Sequence, residues 1–190
     1  MKKLIKKILP LLFFWAAANG CSSPTYETYN PPEPPEPEPY GKYSTEIFEQ
    51  DSAGTYNGKI NGRYFLHPTG INVSDGDSID VRASGEIHWG WDDARGSPDQ
   101  TDKTWGLYLL YGGEGFLGNS SMYQYAGSHF SSKVWFDPAY ADTSLELFFV
   151  IPEGTNNTAY YPDYYRDNNG NFDVNFEVNK ILDSTGEVKK

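Results

Sequence analysis

No stretch between residues 41 and 182 carries helical periodicity over any length. Apolar residues instead recur with period two in short runs separated by Gly, Asn, Asp and Pro. The clearest run closes the region. Phe172, Val174, Phe176 and Val178 alternate with Asp173, Asn175, Glu177 and Asn179, the pattern of a half-buried strand. Further strands are predicted over residues 59–66, 70–73, 78–83, 86–89, 105–111, 133–136 and 145–151. In the last of these, Leu145, Leu147, Phe149 and Ile151 share one face, while Phe148 and Val150 make the other apolar too. A strand buried on both faces reads that way. Short strands with turn signals between them predict an all-β fold, an antiparallel β-sandwich of jelly-roll type, as one domain over residues 41–182.

Residues 1–20 stand outside that fold. Lys2, Lys3, Lys6 and Lys7 precede an apolar stretch over residues 8–18, too short to span a membrane comfortably, which reads as a secretory signal. Asn19 and Gly20 then lead into Cys21, the only cysteine. A lone Cys directly after such a leader resembles the lipobox of bacterial lipoproteins. That resemblance implies a lipidated Cys21 at the mature N-terminus, and hence an exported protein anchored in a membrane, at the outer membrane or cell surface. Residues 21–40 interleave seven prolines with Glu33, Glu36 and Glu38, which favours an extended, semi-rigid spacer. Residues 183–190 form a polar tail. One cysteine allows no internal disulfide, so stability must come from a packed core.

Twenty-six Asp and Glu face fifteen Lys and Arg, four of which lie in the leader. Such a surface excludes nucleic acid as a partner, since that needs a basic face. Five Trp, fifteen Tyr and eleven Phe suit strands and also suit binding surfaces that need a flat ring with a polar edge. Tyr160, Tyr161, Tyr164 and Tyr165 have two readings, a platform for a sugar face or a cover for the end of the sandwich. Asp75-Gly76-Asp77 reads as a hairpin turn rather than a metal loop. His67, His88 and His129 are not in a zinc-like spacing.

The segment from Asp163 to Phe172 places two carboxylates and several amides on a glycine-containing loop that enters the last strand. Calcium takes six to eight oxygens from such groups, so the segment reads either as part of a calcium shell or as a polar turn. Four pieces then occur in order: residues 73–85, Trp89-Gly90, Pro98-Asp99-Gln100, and residues 167–174, which run Asp-Asn-Asn-Gly-Asn-Phe-Asp-Val. Together they resemble the calcium-dependent galactophilic lectins of the pseudomonad PA-I type, over residues 69–178. The resemblance implies a jelly-roll sandwich of galactose-binding-domain-like kind with Ca2+ between two loops at one end. One loop would give the backbone carbonyl of Trp89. The other would give Asp167 and Asn168 as a consecutive pair, with Asp163 as the separate carboxylate and the Tyr164 carbonyl beside it. Sugar contacts would fall on Gln100, Ser97, Asp163 and Asn168, with Ser97 standing where the family has a His and the loop at Asp92 and Asp93 differing.

The expectation is therefore a surface lipoprotein that binds a galactose-like sugar or other glycan through calcium and is not an enzyme. Two alternatives are a small glycan-active hydrolase and an adhesin or structural module in which calcium only stabilises. A glycosidase needs just two carboxylates. No Gly-x-Ser-x-Gly elbow is present for a Ser-His-Asp hydrolase. The anchor is tested by Cys21→Ala, which should move the protein from the membrane fraction to the soluble fraction on cell fractionation. A variant that stays with the membrane would show that no lipid on Cys21 holds it.

Overall fold

The computed structural model describes residues 39–90, 94–100, 106–152 and 160–182. The leader, Cys21, the spacer up to residue 38, Asp92, Asp93, Trp105 and the tail over residues 183–190 lie outside the described residues.

The described chain is built from β1 (Gly41–Tyr43), β2 (Glu49–Gln50), β3 (Tyr56–Asn61), β4 (Tyr64–Ser74), β5 (Ser78–Trp89), β6 (Ala94–Gly96), β7 (Tyr108–Tyr111), β8 (Tyr123–Tyr125), β9 (His129–Lys133), β10 (Ser144–Val150), α1 (Pro162–Tyr165) and β11 (Asn169–Asn179). One sheet runs β1-β4-β10-β7-β8, and the other β2-β3-β11-β5-β6 with β9 also on β5. All pairs are antiparallel except β1 with β4. Successive long strands β3, β4 and β5 alternate between the sheets, as do β9, β10 and β11. That is jelly-roll wiring, and the expected antiparallel β-sandwich is the fold observed.

β11 is the central strand of its sheet. It pairs with β5 from Asn169↔His88 to Asn179↔Ser78 without a register shift, and with β3 from Asn171↔Asn61 to Phe176↔Tyr56. Phe172, Val174 and Phe176 are buried as the alternation predicts, and Val178 is partly buried against the same core. Phe48, Phe149 and Phe176 form the heart of that core, with ring centroids 5.3–5.5 Å apart. Burying each such ring contributes about 1.5–3 kcal/mol. A second cluster, with Phe65, Phe148, Val150 and Tyr165, covers the outer face of the other sheet. That cluster is why β10 is apolar on both faces.

Several strand boundaries differ from the sequence reading: residues 70–73 belong to β4, which begins at Tyr64, and β7 begins only at Tyr108. The run over residues 59–66 is two strands in opposite sheets, broken at Asn61-Gly62-Arg63, where the Asn61 side chain accepts the Arg63 amide at 2.9 Å. Residues 78–83 and 86–89 are one strand. Gly85 carries it past β11 with φ +106, at a place where a Cβ would lie 2.5 Å from the Asn171 carbonyl. Residues 134–136 leave the sheet, because their amides bond to the turn before β5. Val134 donates to the Asp77 carbonyl at 2.7 Å and Phe136 to Asp75 Oδ1 at 2.7 Å. The strands β1, β2, β6 and β8 were not expected from the sequence, and of β9 only Lys133 was.

Asp75-Gly76-Asp77 is a turn, as expected, but not that of a hairpin, because it joins β4 of one sheet to β5 of the other. The Asp77 carboxylate is buried and accepts from the Ser74 and Ile181 amides and from Lys180.

His67 on β4 is fully buried, and its Nε2 donates to the Tyr64 carbonyl at 3.1 Å. Desolvation pushes its pKa down to about 4, although backbone carbonyls of Tyr64 and Asn61 oppose the shift. A depressed histidine pKa means that the unfolded chain binds a proton the folded chain refuses. Stability is therefore whole above about pH 6.5, the ordinary histidine value, and is lost as pH falls towards 4, at about 1.4 kcal/mol per unit. Urea denaturation of the full chain between pH 7 and 5 should show this slope, and His67→Gln should be flatter by that amount. An unchanged slope in the variant would remove His67 as its source.

Candidate functional site

The end of the sandwich where β5 stops and β11 begins brings the two matched loops together. With Asn169 opposite His88, the residues just before β11 come level with the residues just after His88. The Asp167 carboxylate lies over Gly90: a Cβ on that glycine would sit 3.1 Å from Asp167 Oδ2. Gly90 has φ +56, a left-handed turn that glycine adopts without steric cost. The Trp89 ring is buried in the core against Gly96 of β6, so what Trp89 offers a ligand is its backbone carbonyl.

The loop at residues 166–168 is held from the β3–β4 turn. Arg63 Nη2 donates to the Arg166 carbonyl at 2.8 Å, and Asn168 Nδ2 to the Gly62 carbonyl at 2.9 Å. The Gly62 amide donates to the Gly170 carbonyl at 3.1 Å. Asn168 is completely buried. Because its nitrogen end faces Gly62, its amide oxygen is the opposite pole of a side chain fixed in place. Arg63 and the Asn61-Gly62 turn escaped the sequence reading. An Asn-Gly pair is a turn signal, and here it was subsumed into one long strand.

Asp163 and Tyr164 lie one turn earlier, both exposed on α1. The stretch expected to be a single loop is thus a helical turn followed by a strand that begins at Asn169. Proline at the start of α1 favours that turn. The four tyrosines divide between their two readings. Tyr165 is fully buried and donates to the Ile151 carbonyl at 2.8 Å, and Tyr160 stacks on Phe65, so both cover the sandwich. Tyr161 and Tyr164 are exposed and lie against each other at 5.3 Å.

Ser97 and Gln100 belong to a turn that follows β6, closed by the Gln100 amide on the Ser97 carbonyl at 3.1 Å. Asp99 anchors that turn. Hydrogen bonds from Ser128, including its amide at 2.7 Å, hold the Asp99 carboxyl below its ordinary range. The last residue of β6, Gly96, pairs with Ile87, two positions before Trp89 on β5. Ser97 and Gln100 therefore start out beside the body of β5 rather than at its tip. His88 sits 3.0 Å from Glu86, whose carboxylate also takes Arg95 at 3.1 Å.

Among the described residues no group of three or more His, Cys, Asp or Glu is placed to hold a metal ion. The donors at this end are of another kind: one carboxylate, one buried amide and backbone carbonyls, all oxygens. That set suits a hard cation such as calcium, and the close fit of Asp167 over Gly90 leaves the carboxylate next to the Trp89 carbonyl's peptide.

No family model matches the sequence, and neither does any curated protein. Among solved structures, the N-terminal domain of EclA, described as a PllA-like lectin, aligns with 67% of this chain and 99% of its own length, at 21% identity and TM-score 0.44. The Aeromonas hydrophila protein PliG, a periplasmic inhibitor of g-type lysozyme, aligns with 73% of this chain and 98% of its own, at 8% identity and TM-score 0.32. These are distant likenesses, and the functional reading rests on this chain's own residues.

Asn168 and Asp167 should differ in what they do for the fold. Asn168→Ala leaves the Gly62 carbonyl without this donor and should cost about 1–3 kcal/mol in urea denaturation. Asp167→Ala, at an exposed position, should stay within about 0.5 kcal/mol when no calcium is present. Equal losses would mean that Asn168 is not the structural tie of this loop.

Proposed function

We propose that this chain is an exported lipoprotein, anchored through Cys21, whose β-sandwich binds carbohydrate through a calcium ion at the β5–β11 end. Asp167, Asn168 and the Trp89 carbonyl would hold the ion, with Asp163 and the Tyr164 carbonyl completing the protein's share of the shell. Calcium would supply open positions at which neighbouring sugar hydroxyls replace water. Ser97 and Gln100 would contact the rest of a galactose-like sugar, together with Asp163 and Asn168. No catalytic step is part of this reading, and nucleic acid is no partner.

The observation that carries the proposal is the Asp167 carboxylate against Gly90, which joins two loops 77 residues apart in sequence, both singled out by the motif. A polar turn alone does not require the carboxylate to point at the end of the neighbouring strand. The buried, clamped Asn168 adds a second oxygen in a fixed place, and prior fixing of donors lowers the cost of binding.

Thermal melts of the full chain with calcium and with chelator test the ion, and a glycan array under the same two conditions tests the sugar. Calcium should raise the melting temperature, by the equivalent of about 2.7 kcal/mol at a hundredfold excess over Kd. Asp167→Ala should abolish both the shift and glycan binding, whereas Gln100→Ala should weaken glycan binding and keep the shift. A calcium shift without glycan binding would leave the ion a structural role only. Release of sugar from a bound glycan would make the domain a hydrolase, and an unmoved melting curve would remove calcium altogether.

A further inference from the structure

The outward face of β3 and β11 carries a trough of about 480 Å3 that the calcium reading does not use. Its floor follows from register. Asn57 of β3 stands opposite Asn175 of β11, and Lys59 stands opposite Asp173, all four pointing away from the core because Phe172, Val174 and Phe176 point into it. Glu49 of β2, opposite Asn57, extends the row to the sheet edge, with Ile47 two residues earlier.

That edge is fixed. Phe48 enters the core at Gly58, where a Cβ would lie 2.3 Å from its ring, and the Ser44 amide bonds to the Leu66 carbonyl at 2.8 Å. The wall therefore stays beside the floor, and Ile47 between those anchors is left 81% exposed. Glu46, also on the wall, has Oε2 closed off from solvent and without a hydrogen-bond partner among the described residues. Burial pushes its carboxyl up, against the opposing pull of Asn61 and Lys59.

The chemistry of the lining narrows the occupant. Carboxylates at Glu46, Glu49 and Asp173 repel phosphate or any polyanion, while Lys59 in their midst disfavours a simple cation. Of the two aliphatic residues in the lining, Val174 is turned into the core and only Ile47 reaches solvent, which is too little for an apolar partner. What remains is a neutral ligand whose every polar group both donates and accepts, the property of hydroxyl. Directly opposed side chains stand about 5 Å apart at Cβ. The amide pair and the ammonium–carboxylate pair thus offer donors and acceptors across the span of one sugar ring, with Ile47 for its C–H face. We propose that this trough is a second saccharide site, which binds a polyhydroxylated ring without a metal. It is separate from the calcium end and independent of the function proposed for that end.

Saturation-transfer NMR on the full chain in detergent micelles, with EDTA present and with glucose, galactose, mannose and N-acetylglucosamine as probes, tests this. At least one probe should receive saturation. Asp173→Ala combined with Asn175→Ala should weaken that binding about tenfold or more, as should Lys59→Met, while Asp167→Ala leaves it unchanged. These positions face solvent, so unchanged melting curves will exclude unfolding as the cause. No transfer to any probe in EDTA overturns the proposal, as does transfer that survives in the trough variants or vanishes in Asp167→Ala.

Discussion

The pairing of β11 with both β5 and β3 is the constraint on which the rest depends. Its eleven residues all pair with β5, the six from Asn171 to Phe176 also pair with β3, and its inward side chains, Phe172, Val174 and Phe176, fill the space between the sheets. A one-residue slip would turn those three rings and methyls to water and bring Asp173, Asn175 and Glu177 into the core. Register is therefore strongly determined. That same register puts the start of β11 at the tip of β5 and sets its polar residues in rows against those of β3. Both candidate binding regions are consequences of one strand's alignment.

Rigid placement of polar groups follows from how the loop into β11 is tied. Arg63, Gly62 and Asn168 exchange hydrogen bonds between the β3–β4 turn and residues 166–170, so the loop inherits the order of two strands. Asp167 needs little further ordering to present its carboxylate over Gly90. Long acidic side chains free in solvent would pay conformational entropy on binding that this arrangement has already paid on folding. The exposed Tyr161–Tyr164 pair at the start of α1 lies on the same stretch of chain, within five residues of Arg166.

Much of the fold was legible because its signals are local. Period-two alternation identified β11 and most of β10, and Asp-Gly-Asp identified the turn before β5. The misplaced boundaries have non-local causes. Gly85 looks like a break between two strands, yet it allows the β11 backbone to approach, which no reading of β5 alone could reveal. Val134 and Phe136 alternate like strand residues, but their amides are claimed by Asp77 and Asp75 some sixty residues away. Asn61-Gly62 carried a turn signal that was overridden by the apolar residues on both sides of it.

The sequence by itself determined the fold class, the faces of the central strands and the residue types able to coordinate a hard cation, because periodicity and side-chain chemistry are properties of the chain. Only the tertiary structure decided which of those residues meet. It set Asp167 against Gly90, buried Asn168, left Asp163 and Tyr164 exposed on a helical turn and started the Ser97–Gln100 turn beside β5 rather than at its tip. It alone opened the trough between Ile47 and Asp173, since its walls come from segments more than a hundred residues apart. The physical reason is that hydrogen-bond register across a sheet, not distance along the chain, sets which side chains become neighbours.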